Sequence, residues 1–230
     1  MHPADWAPVD ETTSALRKEM VDRLIEAGTI KTPSVEKAMG QIPRHLFVPQ
    51  INAQAAYLDQ AVMVKRAKDG SPISSASQPT IVAIMLEQLQ VSPGHRVLEV
   101  GTGSGYNAAL LGALCGPSGS VVSIELEPEL AKRAAQVLAH LGLDQVQVVI
   151  GDGRDGYSPQ EPYDRVIVTA GARETATPWS KQLLAGGRLV VPLVDRNRVG
   201  SIVMFENIGG ELRRHAESPC RFVPIRDTPV

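Results

Sequence analysis

The chain has 230 residues, of which 43% are hydrophobic and 21% are charged, a balance typical of a folded globular protein and unlike that of a disordered chain. Its formal net charge of −2 leaves no basic surplus to neutralise a phosphate backbone, so we expect no nucleic-acid partner. Its two cysteines share no motif, as expected in a reducing compartment. No apolar run approaches the ~20 residues of a membrane span, and the acidic start does not resemble a secretory signal. We therefore expect no membrane association and a cytoplasmic location.

The N-terminal third predicts helices followed by a long loop. The first ten residues, rich in Pro, Ala and Asp, predict a loose terminus. Apolar spacing predicts a helix over residues 13–27, and Ser34 as N-cap predicts a short one over 34–39. Residues 42–49, bounded by prolines, are expected to be extended or turning, and the turn signals in 58–76 predict irregular structure. We therefore expect residues 1–76 to form a helical cap and a loop.

Residues 77–230 predict one compact α/β unit. Ser77 is the expected N-cap of a helix that reaches Leu89, because serine favours that position and Pro79 is tolerated in the first turn. Strands and helices then alternate, which predicts a mostly parallel, Rossmann-like sheet with helices on both faces. The last three strands lack intervening helices, so at least one pair there is antiparallel. The predicted strands are 95–100, 120–124, 146–150, 164–168, 188–194, 201–206 and 211–217, and the predicted helices are 106–114, 129–141 and 174–184.

A glycine-rich turn, Gly101-Thr102-Gly103-Ser104-Gly105, separates the first of these strands from its helix. In a doubly wound sheet a ligand binds outside the carboxyl end of such a strand, where glycines allow close approach of the backbone. A dinucleotide motif reads G-x-G-x-x-G, but its third glycine position is held here by Tyr106. The spacing therefore disfavours NAD and favours a nucleoside with an amino-acid tail, with a turn that binds nothing as the alternative.

The ends of the next two strands carry further polar residues. Glu125 closes the second strand, where a carboxylate can accept hydrogen bonds from both ribose hydroxyls. Asp152, within Gly151-Asp152-Gly153, follows the third strand and can accept a hydrogen bond from an adenine amino group. Individually these are a strand-end charge and a turn residue. Three successive strand ends of this kind indicate one nucleoside laid across the edge of the sheet.

Seven pieces of the chain follow a known family pattern: IPRHLFVP (42–49), AAYLDQA (55–61), SASQPTIVAIMLEQL (75–89), VLEVGTGSGYNAALLGALCG (97–116), VVSIELEPELAKRA (121–134), GDGRDGYSPQEPYDRVIVTAGA (151–172) and QLLAGGRLVVPL (182–193). Through these pieces the chain resembles the protein-L-isoaspartate O-methyltransferases between residues 43 and 193. The resemblance implies a seven-stranded methyltransferase core with an N-terminal helical cap, S-adenosylmethionine as methyl donor, and a peptide or protein bearing isoaspartate or aspartate as partner. A succinimide would form from the ester, as in protein repair.

The resemblance also implies site residues. The acceptor side comprises Ser75, Ala76 and Ser77, with Ser77 as the catalytic residue that contacts the substrate carboxylate; the alternative is that Ser77 only caps a helix. That carboxylate, with a reference pKa of about 3.5, is ionised and needs no general base. Catalysis then consists of holding its oxygen near the methyl group and excluding water. The implied cofactor-binding residues are Glu99, Gly101, Thr102, Gly103, Gly105, Glu125, Leu126, Gly151, Asp152, Gly153 and Thr169.

Two departures from the family keep alternatives open. The family's usual Thr-Ile-Ser is replaced by Ser75-Ala76-Ser77, and residues 62–73 form a longer, basic loop on the substrate side. The loop resembles that of a divergent branch that methylates aspartate in ribosomally made, modified peptides, so a peptide-tailoring methyltransferase is one alternative. An NAD-dependent oxidoreductase and a non-catalytic cofactor-binding module are others. The histidines of the chain are His2, His45, His95, His140 and His215. No two of them have metal-ligand spacing, so no metal site is expected.

Overall fold

In the computed structural model of the protein, residues 8–226 and 229 are described, so most of the predicted loose terminus lies outside the described residues. The helices are α1 Glu11–Glu26, α2 Pro33–Gln41, α3 Ala53–Ala56, α4 Pro79–Leu89, α5 Tyr106–Cys115, α6 Pro128–His140 and α7 Thr177–Lys181. The strands are β1 Val62–Arg66, β2 Pro72–Ala76, β3 Arg96–Val100, β4 Ser120–Glu125, β5 Val146–Ile150, β6 Tyr163–Val168, β7 Leu183–Val194, β8 Val199–Ile208 and β9 Glu211–Arg221. No helix within the described ranges is both long and apolar enough to cross a membrane.

Seven strands form one sheet in the order β5-β4-β3-β6-β7-β8-β9. The first five in this order are parallel, and the pairs β7–β8 and β8–β9 are antiparallel, which confirms the predicted fold class. Strand order reverses at β3, whose neighbours are β4 on one side and β6 on the other. The carboxyl end of β3 is therefore the topological switch point at which open α/β sheets bind ligands.

Two apolar clusters cover the two faces of the sheet. Successive strand residues point to opposite faces, so Val97 belongs to one cluster and Leu98 to the other. The cluster around Val97 also contains Met20 of α1 and Met39 of α2. The predicted cap is thus packed on the sheet through a shared core, while the division of the chain at residue 76 stays a prediction.

The prediction of irregular structure over residues 58–76 is wrong, because β1 and β2 form an antiparallel hairpin. Val62 pairs with Ala76, and both are buried in a small apolar cluster with Val48 and Ala56. The strands were missed because each is five residues long and the first carries basic residues that conceal its alternation. Their burial depends on apolar partners elsewhere in the cap.

The predicted starts of two helices are also wrong. Helix α2 is capped by Thr32, whose hydroxyl accepts from the Val35 amide, rather than by Ser34. Helix α4 begins at Pro79, and its N-cap is Gln78 instead of Ser77. The carboxylate of Asp59, far away in the sequence, accepts from the Thr80 amide at 2.8 Å, so a tertiary contact replaces the local serine cap.

The helix predicted over residues 174–184 is shortened to α7, which ends at Lys181. Strand β7 starts already at Leu183, which pairs with Tyr163 of β6. Pairing of Leu183 with the sheet therefore overrides the helical pattern at the end of the predicted helix, and after a register shift the pairing resumes at Arg188. The predicted strand 188–194 forms the second half of β7.

Candidate active site

A cavity of about 630 Å³ lies at the carboxyl ends of β3, β4 and β6. Most of its lining comes from the glycine-rich turn, the end of β4, the hairpin with the start of α4, and a C-terminal segment, residues 222–226; residues that follow β5 and β6 complete it. The predicted site residues that line it are Ser75, Ala76, Ser77, Gly101, Thr102, Gly103, Glu125, Leu126, Gly153 and Thr169. The structure thus brings the predicted donor and acceptor sides to one cavity.

The glycine-rich turn requires glycine for conformational and steric reasons. Gly101 has φ +100° and Gly105 has φ +91°, values that L side chains rarely adopt. A Cβ on Gly101 would lie 2.8 Å from Oγ1 of Thr169. Gly105 does not line the cavity; it lies against Ala134 of α6, so its place in the structure is in packing the start of α5.

Glu125 presents a fixed carboxylate at the end of β4. Its side chain is buried, with 7% of the residue exposed. Oε2 accepts from the Gly103 amide at 2.6 Å and Oε1 accepts from the Glu127 amide at 3.0 Å. Burial raises the pKa of this carboxyl, although these backbone hydrogen bonds oppose the shift. Because the carboxylate faces the cavity beside the glycine-rich turn, it can accept hydrogen bonds from a ligand's hydroxyl groups.

Glu99 lies beneath the cavity and does not line it. Its fully buried carboxylate accepts from Asn107 Nδ2 at 2.8 Å and from Ser123 Oγ at 2.5 Å. Ser123 Oγ in turn lies 2.5 Å from Thr102 Oγ1. Since Thr102 and Asn107 both line the cavity, Glu99 orients two lining side chains and has no lining position of its own.

The buried Glu99 predicts a distinctive pH dependence of stability. Burial raises the pKa of this carboxyl from its ordinary 4.5 to about 7. The folded protein therefore binds this proton more tightly than the unfolded chain, and stability is lost as the pH rises from about 4.5 to about 7. We expect the free energy of unfolding to fall by about 2 kcal/mol between pH 5 and pH 7. Urea denaturation of the protein and of Glu99→Gln, which has no such proton to lose, will measure the difference; parallel pH profiles would contradict the expectation.

The structure places Asp152 away from the cavity. Its carboxylate is engaged by Arg154, with Nη2 to Oδ2 at 2.6 Å and Nε to Oδ1 at 3.1 Å, and the side-chain hydrogen bond from Arg154 lowers the pKa of Asp152. Gly151 also lies outside the lining, whereas Gly153 lines the cavity and its carbonyl accepts from Trp179 Nε1 at 2.8 Å. The contact expected between Asp152 and an adenine therefore stays a prediction.

A buried ionic cluster that was not predicted from the sequence joins β1 to the C-terminal segment beside the cavity. Glu127, whose side chain is 1% exposed, binds Lys65 of β1 and Arg226 of the C-terminal segment, each at 2.5 Å. The same segment is hydrogen-bonded to Gly171, whose amide donates to the Val223 carbonyl. Lys65, one of the basic residues in the predicted loop 62–73, is therefore an ionic partner of Glu127. No sequence pattern links these residues, because they are far apart in the chain.

Comparison with known proteins places this geometry in a family. A family profile described as "Protein-L-isoaspartate(D-aspartate) O-methyltransferase" matches residues 15–229. A protein-L-isoaspartate O-methyltransferase of Methanopyrus kandleri is 41% identical over 217 residues, covering 94% of this chain and 93% of the relative. One of Methanoculleus marisnigri is 45% identical over 180 residues, covering 78% of each.

Two solved structures share the fold. A protein-L-isoaspartate O-methyltransferase superposes with a TM-score of 0.80 at 31% identity, covering 90% of this chain and 65% of that longer one. A Plasmodium falciparum protein, whose structure is described as a putative protein-L-isoaspartate O-methyltransferase in complex with S-adenosyl-L-homocysteine, superposes with a TM-score of 0.76 at 20% identity, covering 91% of this chain and 98% of that one. At that identity the likeness shows the fold alone.

Proposed function

Because the chain belongs to the protein-L-isoaspartate(D-aspartate) O-methyltransferase family, we propose that it transfers the methyl group of S-adenosylmethionine to a carboxylate of isoaspartyl residues in proteins or peptides. One observation carries this proposal. A single cavity at the switch point of the sheet is lined on one side by Glu125 and the glycine-rich turn, and on the other by Ser75, Ala76 and Ser77. A methyl donor and its acceptor can therefore meet in it.

The residues of the cavity fit the cofactor. The volume of about 630 Å³ is within the usual range for small-molecule sites. Glu125 would hold the ribose hydroxyls, and Gly101 and Gly103 leave room for close approach of the ligand to the backbone. Thr102 and Asn107, oriented through Glu99, offer further polar contacts. When bound, S-adenosylmethionine supplies a methyl group already activated by its sulfonium.

The position of Tyr106 argues against the oxidoreductase alternative. Its buried ring packs against Phe47, with ring centroids 5.7 Å apart, and under the Arg44 guanidinium. In a dinucleotide-binding motif this position is glycine, so that the helix can pack closely against the strand beside the pyrophosphate. Here a tyrosine joins the start of α5 to the N-terminal cap instead.

The chain's own residues complete a mechanism without a general base. The acceptor carboxylate is ionised at neutral pH, so its oxygen can attack the methyl carbon directly. When bound, S-adenosylmethionine would supply the methyl group to that oxygen, and its sulfur would keep the electron pair of the S–C bond. Ser77 donates its hydroxyl hydrogen to the carboxylate and holds it in place, while the hairpin and the C-terminal segment limit access of water.

Methyl transfer to matched peptides tests the proposed function. We expect the isoaspartyl peptide to gain one methyl group and then to lose methanol as the ester collapses to a succinimide. Intact-mass analysis of this peptide and of its aspartyl isomer, each incubated with protein and S-adenosylmethionine, will follow both steps. Ester on the aspartyl peptide alone would replace the proposal by the peptide-tailoring alternative, and no ester on either would contradict both.

The role of Ser77 is tested by Ser77→Ala. Loss of one hydrogen bond to a charged acceptor should lower kcat/KM for the isoaspartyl peptide about tenfold, with little change in S-adenosylhomocysteine affinity. Steady-state kinetics and calorimetry measure the two quantities. Ser118→Ala, in the exposed turn before β4, is the matched control. If Ser77→Ala has the kinetics of the unaltered protein, Ser77 does not contact the acceptor carboxylate.

A further inference from the structure

We propose that Arg44 and Asp59 are positioning residues that fix the orientation of the peptide bond between Ser77 and Gln78. In that orientation the Gln78 backbone N–H and the Ser77 hydroxyl together hold the carboxylate of the acceptor. The inference rests on the proposed function, because it assumes an anionic acceptor beside Ser77. It adds the Gln78 amide as a second donor and gives a reason for two side chains that lie outside the cavity.

Arg44 is a buried cation directed at the backbone of the acceptor side. It is 0% exposed; its Nη2 donates to the Ser77 carbonyl and its Nε donates to the Ala56 carbonyl, both at 2.9 Å. Within the described part of the chain, no carboxylate forms an ion pair with it. The Tyr106 ring and the charge of Asp59 attract it, but a buried guanidinium without a contacting carboxylate is unfavourable for stability, and we infer that its contact with Ser77 serves the site.

That contact determines where the next amide points. In a trans peptide the C=O and the following N–H lie on opposite sides. The Ser77 carbonyl points to Arg44, which does not line the cavity, whereas Ser77 and Gln78 both line it. The Gln78 N–H is therefore directed toward the cavity side, and it donates to no acceptor among the described residues. An unpaired N–H beside a hydroxyl is the arrangement that an anionic ligand can satisfy.

Asp59 fixes the same backbone from the other end. Its Oδ1 accepts from the Thr80 amide at 2.8 Å, and its Oδ2 accepts from Thr80 Oγ1 at 2.7 Å and from Gln78 Nε2 at 2.8 Å. These bonds hold the residues immediately after Ser77 and keep the Gln78 side chain on Asp59. Arg44 and Asp59 thus restrain the residues on both sides of the Gln78 amide.

The two donors suit a carboxylate, which has two acceptor oxygens. The Ser77 hydroxyl and the Gln78 N–H belong to consecutive residues, so one carboxylate can bridge them. The guanidinium of Arg44, one peptide unit away, adds a positive charge in a poorly solvated region, where its attraction for an anion is strong. The arrangement is therefore specific for the acceptor and makes no demand on the cofactor.

The test compares binding of the acceptor with binding of the cofactor product in Asp59→Asn, Arg44→Met and Arg44→Lys. We expect Asp59→Asn and Arg44→Met to raise KM for an isoaspartyl peptide about tenfold, with S-adenosylhomocysteine affinity changed less than about twofold. Arg44→Lys should recover part of the loss, because an ammonium can still donate to the Ser77 carbonyl. Asp164→Asn is the matched control. Asp164 also accepts from a backbone amide, that of Arg96, but at the amino ends of β3 and β6, opposite the cavity.

The outcomes separate this inference from the proposed function. If the unaltered protein methylates no isoaspartyl peptide, the proposed function fails. If it does, and folded Asp59→Asn and Arg44→Met keep the parental KM, the inference alone is overturned. Equal losses of peptide and S-adenosylhomocysteine binding would also overturn it, since they would show a general structural role. Circular dichroism establishes folding, and Asp59→Asn decides if Arg44→Met does not fold.

Discussion

Replacing Glu125 by alanine is expected to weaken binding of S-adenosylhomocysteine about a hundredfold. Hydrogen bonds from neutral donors to a charged group contribute about 1.5–3 kcal/mol each, and we propose that this carboxylate accepts two from the ribose. Its removal also takes away the acceptor of the Gly103 amide, so the glycine-rich turn loses one of its restraints. Both effects act on the donor side and are independent of the peptide.

Isothermal calorimetry with S-adenosylhomocysteine measures the expected loss, and circular dichroism confirms that the variant is folded. Glu129→Ala is the matched control, because Glu129 lies in the first turn of α6, shortly after Glu125, and its side chain is 88% exposed. The control should bind S-adenosylhomocysteine as the unaltered protein does. A loss smaller than about threefold in a folded Glu125→Ala variant would show that the carboxylate does not hold the ribose.

The second large effect is expected from Gly105→Ala, which should lower the free energy of unfolding by about 3 kcal/mol. The left-handed backbone at φ +91° costs an L side chain about 1–2 kcal/mol. In addition, the new Cβ would lie 2.9 Å from Ala134 Cβ and 3.3 Å from its Cα, and overpacking of this kind costs about 1–3 kcal/mol. The neighbour belongs to helix α6 and cannot yield by a rotamer change, because alanine has no rotatable side chain.

The end of helix α6 provides the control. Gly142, the residue after the C-cap of α6, has φ +66°, and a Cβ there meets nothing within 4 Å. The amides of residues 142 and 143 bond back to the carbonyls of residues 139 and 138, as in a helix that ends on a left-handed glycine. Gly142→Ala should therefore show only the conformational cost, about 1 kcal/mol. Urea denaturation of both variants measures the two free energies. Equal losses would show that the contact with Ala134 is relieved by a small shift of α5 or α6.

Local sequence patterns were sufficient where local physics decides the structure. Strand β5 was predicted with its observed bounds, and the predicted bounds of the strand ending at Val100 and of helix α6 were within one residue of those observed. Apolar runs bounded by turn residues specify these elements with little help from distant contacts. The hairpin β1–β2 and the shortened α7 were not predictable in this way, because partners elsewhere in the fold determine whether residues 62–76 and 183–187 become strands.

The candidate site divides along the same line. Glu125 and the turn at 101–105 were expected on the donor side, and the turn's positive φ angles at Gly101, Gly103 and Gly105 explain why a glycine pattern reveals it. Glu99 was also expected to contact the cofactor, but the structure places it beneath the cavity. The sequence motif shows that a carboxylate belongs there, whereas the direction in which it points depends on Ser123 and Asn107.

By itself the sequence determined the α/β fold, the glycine-rich turn and the family, because strand periodicity and the left-handed backbone of a glycine turn are encoded by neighbouring residues. Only the tertiary structure decided how the acceptor side is held and how the cavity is covered. Asp59 caps a helix 21 residues away from it at Thr80, and Glu127 joins Lys65, 62 residues before it, to Arg226, 99 residues after it. Such contacts form only when the packed core brings distant segments together.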